Sequence, residues 1–352
     1  MGRRSTPPRS LTERELNRAL LARQQLLERG TGTIPRTLER LGGLQTQHAP
    51  AGYLGLWSRL EGFRRDDLTR ALERRAVVQA WMMRSTIHMA SKADFWRFSA
   101  AVRRARRAAW ERGFKRTERE ARAAAVKVRR LLADGPRKRS EIVGVLGLDT
   151  AIWYGASLWV DLVRVPPSGT WEFPRADRYA VASDWLGEPP DVTEDEGVDH
   201  LTRRYLAAFG PASRADIASF TGLSLPTVAA ALDRIGKRTF LDERGGELVD
   251  VPRAPLPDAD TPAPVRFLPV FDATLLTQAR RTQILPERYR GRIFSTKTPH
   301  SFPTFLVDGQ VAGTWRFDGD RIDVEPFERR AASTLRAMRG EADRLRELFV
   351  SP

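Results

Sequence analysis

The sequence predicts a mostly helical α+β protein of three tandem winged-helix units, closed by a small C-terminal β-barrel or sheet. Three observations predict it. First, one pattern occurs twice, 75 residues apart: Leu131-Leu132-Ala133-Asp134-Gly135-Pro136-Arg137-Lys138-Arg139-Ser140-Glu141-Ile142 with Gly147-Leu148, then Leu206-Ala207-Ala208-Phe209-Gly210-Pro211-Ala212-Ser213-Arg214-Ala215-Asp216-Ile217 with Gly222-Leu223. A Gly-Pro break, a short helix, a Gly turn and a second amphipathic helix is how a winged helix begins. Second, Leu38 followed by Gly43-Leu44 repeats the spacing of Ile142 to Gly147-Leu148, a third and fainter copy. Third, residues 265–327 turn strand-like, and Asp308-Gly309 between apolar runs is a strong hairpin signal.

The elements follow in order. Residues 11–29 read as a helix that Thr12 N-caps, with Leu16, Leu20 and Leu27 at helical spacing. Residues 34–44 form a second short helix, with Pro35 in its first turn. Segments 51–60 and 66–74 continue as helices. Segments 77–83 and 86–90 are rich in strand formers and pair as a wing. A long basic helix from Lys92 completes the first unit, 1–116. The second unit, 117–183, adds a helix near 150–163 and strand-like pieces at 170–173 and 179–182. Residues 184–199 hold seven acids, no base and Pro189-Pro190, and read as a solvated linker. The third unit, 200–252, has a helix at 214–219, a turn at Thr221-Gly222, a recognition helix at 225–235, and wing strands 239–241 and 247–251 around Gly245-Gly246. Five prolines between 252 and 264 mark a second linker, 253–264. The last module, 265–352, is the β-barrel or sheet with a charged amphipathic helix at 328–349.

Composition bounds the chemistry. A chain of 352 residues holds two or three domains. With no Cys, disulfides, thiolate metal sites and Cys nucleophiles are excluded. His48, His88, His200 and His300 show no ligand spacing, so neither a metal nor another cofactor is expected. No apolar run reaches 18 residues, and residues 1–10 are basic and Pro-rich without a following apolar stretch. No membrane span and a cytoplasmic location are therefore expected. The net charge is +15, and residues 101–140 carry 15 Lys/Arg against four Asp/Glu. A GC-rich genome explains Arg in place of Lys but not the excess of positive charge, which points to a polyanionic partner, nucleic acid. No Gly-rich phosphate loop, GxSxG setting or zinc pattern is present.

The sharpest local feature is Leu41-Gly42-Gly43-Leu44-Gln45-Thr46-Gln47, directly after a helix stop. In extended backbone, Gln45 and Gln47 present both carboxamides on one side. Each offers an acceptor oxygen and two donors, enough together for a water and a sugar oxygen. By spacing alone the ordinary reading is a helix cap or a solvent-facing pair. His48 reads as a turn residue or as a contact to phosphate or base. Alternation places Arg84, Thr86 and His88 on one strand face. His88 reads equally as a hydrogen-bonded hairpin residue. Asp272 after Phe271 reads as a structural acceptor before a catalytic group. Arg280 and Arg281, with Arg288, Arg290 and Arg292, are candidate phosphate contacts, and Trp81 and Trp96 candidate stacking residues.

These motifs, with Met83-Arg84-Ser85-Thr86-Ile87-His88, Phe271-Asp272 and Phe305-Leu306-Val307-Asp308-Gly309-Gln310-Val311-Ala312-Gly313-Thr314-Trp315, occur in an order that resembles the AlkZ/YcaQ-like winged-helix DNA glycosylases of the azinomycin-resistance type. The resemblance implies three tandem winged helices and a β-barrel around a concave DNA-binding surface, in an open cleft that works on the lesion in or near the helix. The family's catalytic signature is Gln–hydrophobic–Gln. Gln45 and Gln47 fall on it; Thr46 departs mildly, as its methyl still packs. The resemblance further implies that the face carrying Arg84, Thr86 and His88 lies near the catalytic cleft, and with His48, Arg280 and Arg281 these are the candidate DNA contacts. The expected activity is monofunctional hydrolysis of alkylated purines, of the N7-guanine or N3-adenine type, including bulky genotoxin adducts. The expected partner is double-stranded DNA carrying alkylated bases. Three units in one chain remove the need for a dimer, so a monomer is expected. The alternative is a non-enzymatic winged-helix DNA-binding protein such as a transcriptional regulator.

Overall fold

Three helices of this chain open with the same signal. Thr12, Thr117 and Thr193 cap helices Glu13–Arg23, Glu118–Leu132 and Glu194–Phe209, and each stands three residues before a glutamate (Glu15, Glu120, Glu196) that accepts from the cap's own backbone N–H. Such a capping box satisfies orphan donors at the helix start reciprocally. Each of these helices is followed by one of eight residues, Ile34–Leu41, Arg139–Leu146 and Arg214–Thr221, which ends on a left-handed glycine: Gly42, Gly147 and Gly222. A third helix comes next (Ala49–Trp57, Thr150–Ala156, Leu225–Arg234), followed in the first unit by one more, Arg65–Glu73, and then by an antiparallel pair of strands. The pairs are Val77–Trp81 with Ile87–Ser91, Leu162–Arg164 with Arg178–Val181, and Arg238–Asp242 with Glu247–Asp250. In the faint copy the left-handed cap falls on Gly42, one residue before the Gly43 that the spacing predicts. Gly43 is left-handed too (φ 81°), and a Cβ there would stand 3.1 Å from the Met89 carbonyl. Both glycines are required to turn the chain onto its neighbouring strand.

The computed structural model describes residues 8–175, 177–276, 282–294 and 301–350. Its strands form three open sheets. The hairpins of the first two units merge into one six-stranded sheet, joined where Gln79 pairs with Arg164. The third hairpin is extended by Ser10–Leu11, which lies parallel to Arg238–Asp242. The C-terminal strands Arg266–Leu268, Thr304–Val307, Gln310–Phe317 and Ile322–Pro326 pair antiparallel in sequence order. Among the described residues they make an open four-stranded sheet. Instead of closing on itself, it buries Phe267, Phe305 and Trp315 under Met338, Ala342, Leu345 and Leu348 of helix Ala332–Val350.

Other expectations need correction. Residues 184–199 are a linker only in the middle. Ala182–Leu186 is helical, and Glu194, Asp195 and Glu196 form the acidic first turn of a helix. Those acids complement the helix dipole rather than solvate a linker. Segment 170–173 carries no strand. The Pro-rich stretch has no regular structure, yet arginines strap it down: the Ala254, Pro255, Ala259 and Thr261 carbonyls accept from Arg238, Arg23, Arg14 and Arg18.

The units share one interior. Helix Lys92–Phe114 packs on helix Glu194–Phe209, and Phe98, Tyr205, Phe209 and Phe220 lie in a common apolar cluster. Buried ion pairs cross the same borders. Arg23 meets Asp250 at 2.7 Å, and Arg59 grips Asp272 through both nitrogens at 3.0 and 2.9 Å.

Candidate active site

The glutamine motif lies where the first and third units meet. After Gly42 and Gly43 turn the chain, Leu44–Gln45 pairs with the strand Ile87–Ser91, placing Gln45 opposite His88. The Thr46 N–H still donates to the Ile87 carbonyl, at 2.8 Å. Thr46 therefore points inward and is 1% exposed. Its methyl occupies the space a side chain on Gly52 would take, and its hydroxyl has no hydrogen-bond partner among the described residues. Gln45 is half-buried and Gln47 exposed, one residue either side of it.

Each carboxamide is held by its oxygen. Arg84 Nη2 donates to Gln45 Oε1 at 2.9 Å, and the Ile87 backbone N–H donates to Gln47 Oε1 at 3.3 Å. A donor on the oxygen fixes which way an amide faces, so the NH2 groups point away from these anchors. Each oxygen retains a second lone pair. The two anchors differ in strength. A guanidinium polarises the Gln45 amide and makes its N–H a better donor, whereas the longer bond from a neutral N–H leaves Gln47 a freer acceptor.

Arg84 sits in the turn between the paired strands. It and Ser85 both adopt left-handed backbone (φ 53° and 56°). Non-glycine residues held there cost roughly 1–3 kcal/mol each and cluster at functional sites. Arg84 Nη1 also donates to the Phe220 carbonyl at 2.7 Å, and the guanidinium lies 5.1 Å from the Phe220 ring. Burial pulls its pKa below the ordinary arginine value. The predicted strand face starts late: the strand begins at Ile87, and Arg84 reaches Gln45 from the turn.

His88 is 1% exposed and packs edge-on against Phe220. Its Nδ1 donates to the Thr86 carbonyl at 3.1 Å, which assigns the proton to Nδ1, and the buried Nε2 has no partner among the described residues. Burial first, then the Arg84 charge, lowers its pKa to about 3. It is a neutral support behind the strand, which revises its expected place against DNA. The Thr86 hydroxyl donates to the Met83 carbonyl. His48 is exposed, and its backbone caps helix Ala49–Trp57. Arg280 and Arg281 lie outside the described residues. Asp272 accepts from Arg59 twice and from the Thr274 N–H and hydroxyl, the structural role expected of it. Trp96 is buried in the shared interior, and Trp81 lines a cavity that also borders Gln47. Among the described residues no cluster of His, Asp or Glu is placed to hold a metal ion, and no single helix is long and apolar enough to cross a membrane.

The sequence reading brought Gln45, Arg84, Thr86 and His88 into one neighbourhood, and they are together. It missed Phe220 and Arg106, which join the site from the third unit and the long basic helix. Neither carries a local signal, since each is one apolar or basic residue within a helix of its kind.

Residues 38–348 match the family described as DNA glycosylase AlkZ-like. The chain belongs to the AlkZ-like DNA glycosylase family. It is accordingly a DNA glycosylase, and DNA is its partner. The Streptomyces sahachiroi DNA glycosylase AlkZ superposes with a TM-score of 0.81 at 19% identity, covering 97% of this chain and 98% of that one. At that identity the likeness speaks for the fold. No curated protein matches the sequence.

Proposed function

We propose that this AlkZ-like chain is a monofunctional glycosylase, acting as a monomer on double-stranded DNA. It hydrolyses the N-glycosidic bond of purines alkylated at N7 of guanine or N3 of adenine, bulky adducts included. The observation that carries the reading is the anchored pair: the carboxamides of Gln45 and Gln47, each held by its oxygen, one by Arg84 and the other by the Ile87 backbone N–H.

A purine alkylated at these positions is a cation and leaves as a neutral base, so its bond to the sugar is already weak. The departing base takes the bonding electrons, water adds to the oxocarbenium-like carbon, and the water's proton goes to solvent. The protein's task is to place the water. Gln47 Oε1 accepts from that water with its remaining lone pair. The polarised Gln45 NH2 donates to the water or to a sugar oxygen. Positioning of this kind contributes up to roughly 7–11 kcal/mol. Among the described residues, no Asp, Glu or Lys lines the cavity at Gln47. A site without a strong acid is restricted to bases that need none, and a site without an amine favours hydrolysis over Schiff-base lysis.

The three repeated units serve as winged helices around a concave surface. Exposed Arg112, Lys115, Arg119, Lys127, Arg129 and Arg130 supply charge for phosphates, along with Arg280 and Arg281, while His48 and Thr86 lie beside the lesion. Base release from an N7-methylguanine duplex tests the proposal. Gln45→Ala with Gln47→Ala is expected to lose excision by at least about 100-fold while binding undamaged duplex normally. Unchanged excision would remove the pair from the mechanism.

A further inference from the structure

A cavity of about 300 Å3 borders Gln47. Trp81, Arg106, Trp110, Phe114 and Tyr154 form most of its wall, so the first and second units build it jointly. The volume is at the lower end of small-ligand sites, roughly 300–1,000 Å3. Its aromatic lining is only partly used by the interior. Phe114 is 45% exposed at the last turn of helix Lys92–Phe114, and its ring lies nearly parallel to that of Tyr154, at 6.2 Å and 25°. Trp81 is backed by Tyr179, stacked at 5.6 Å. Arg106 donates through Nη1 to the Trp81 carbonyl at 2.8 Å, and its Nε has no partner among the described residues. Ser85, the second residue of the left-handed turn that holds Arg84, is on the rim.

We infer that this cavity receives the damaged purine itself, turned out of the helix, with its ring stacked on the aromatic wall and its sugar bond at Gln47. This rests on the proposed glycosylase reading and departs from the open-cleft mode that the resemblance implies. Aromatic faces stack on any base and attract a cationic one. Guanidinium is the donor suited to the O6 acceptor that N7-alkylguanine keeps. The fixed charge of Arg106 also repels the cationic base until the sugar bond breaks, and that repulsion is lifted as the base becomes neutral. Unstacking costs least for a damaged base, so the cavity selects lesions from intact purines.

The test uses the full chain and two duplexes, one undamaged and one carrying a single 2′-fluoro-N7-methylguanosine, which resists cleavage, with 2-aminopurine as its neighbour. Fluorescence anisotropy reads affinity, and 2-aminopurine emission reads unstacking. Wild type is expected to prefer the lesion and to raise the emission. Phe114→Ala with Tyr154→Ala removes stacking, and is expected to cut the preference by about 5- to 100-fold, leaving undamaged duplex bound as before. Ala109→Trp, at an exposed position on the cavity wall, fills the space without removing any packing and serves as the variant that keeps the fold. It is expected to abolish both the preference and the emission rise. Lesion preference or emission unchanged in Ala109→Trp overturns the inference. Base release from cleavable N7-methylguanine duplex, measured separately, tests the glycosylase reading. Release with unchanged preference in the variants defeats the cavity alone; preference that depends on the cavity, without release, defeats the hydrolysis alone.

Discussion

Arg84 is the residue through which the motif is held, and replacing it with Met is the most informative single change. The substitution keeps an unbranched apolar stem but removes the guanidinium and with it the donors to Gln45 Oε1 (2.9 Å) and to the Phe220 carbonyl (2.7 Å). Hydrogen bonds from a charged group are worth about 1.5–3 kcal/mol each. Burial, which lowers the arginine's pKa, works against that sum because the guanidinium no longer has to be desolvated. The net loss of stability is expected to be about 1–3 kcal/mol. The effect on chemistry is separate. Without Arg84 the Gln45 amide is free to rotate and loses its polarisation, and a 1 Å misplacement is enough to cost about 100-fold. Single-turnover release of N7-methylguanine is therefore expected to fall about 10- to 100-fold, with KM little changed. Arg84→Lys, whose compact ammonium lacks the planar fork that spans both acceptors, should fall between. Urea unfolding measures the first effect and rapid-quench base release the second. A variant that unfolds more easily but cleaves at the wild-type rate would refute the claim that Arg84 positions Gln45.

Three further outcomes are expected. His88 is held neutral with its pKa near 3, whereas in the unfolded chain it titrates near 6.5; stability is therefore intact above that pH and falls by about 1.4 kcal/mol per unit as pH drops from 6.5 toward 3. Urea unfolding at pH 6.5 and 5.0 should lose about 2 kcal/mol less in His88→Asn than in wild type, and equal losses would disprove it. Asp272→Ala leaves the Arg59 guanidinium, 0% exposed, without its carboxylate, and should cost about 3–5 kcal/mol in urea unfolding while activity per folded molecule is kept; lost activity at full stability would make Asp272 catalytic after all. Thr46→Val removes a buried hydroxyl that has no partner among the described residues and keeps the methyl, so it should raise stability by about 1 kcal/mol with base release unchanged; a destabilised variant would mean that the hydroxyl is satisfied.

What was readable in the sequence was what local chemistry determines. Thr12 caps where expected, the left-handed glycines end the short helices, and Asp308-Gly309 turns its hairpin with both residues at positive φ. The Thr-x-x-Glu signal before all three units was equally available, and reading Glu194 to Glu196 as a helix start rather than as linker charge would have found the third. What was not readable depends on distant segments meeting. Nothing near Arg84 says that its fork is divided between Gln45 and a carbonyl 136 residues away. The fusion of two hairpins through Gln79 and Arg164 leaves no mark in either strand. The alternation that grouped Arg84 with His88 was right about proximity for the wrong reason, because the turn brings Arg84 round rather than the pleat.

The short strand Ser10–Leu11 has its partners in the third unit, and the Ser10 hydroxyl donates to a carbonyl 232 residues away. On a ribosome adding about 5–20 residues per second, that partner emerges roughly ten to fifty seconds after the strand itself. The strand therefore waits, unpaired, until the third unit has been made, and the three-stranded sheet it completes cannot assemble at any earlier stage of synthesis.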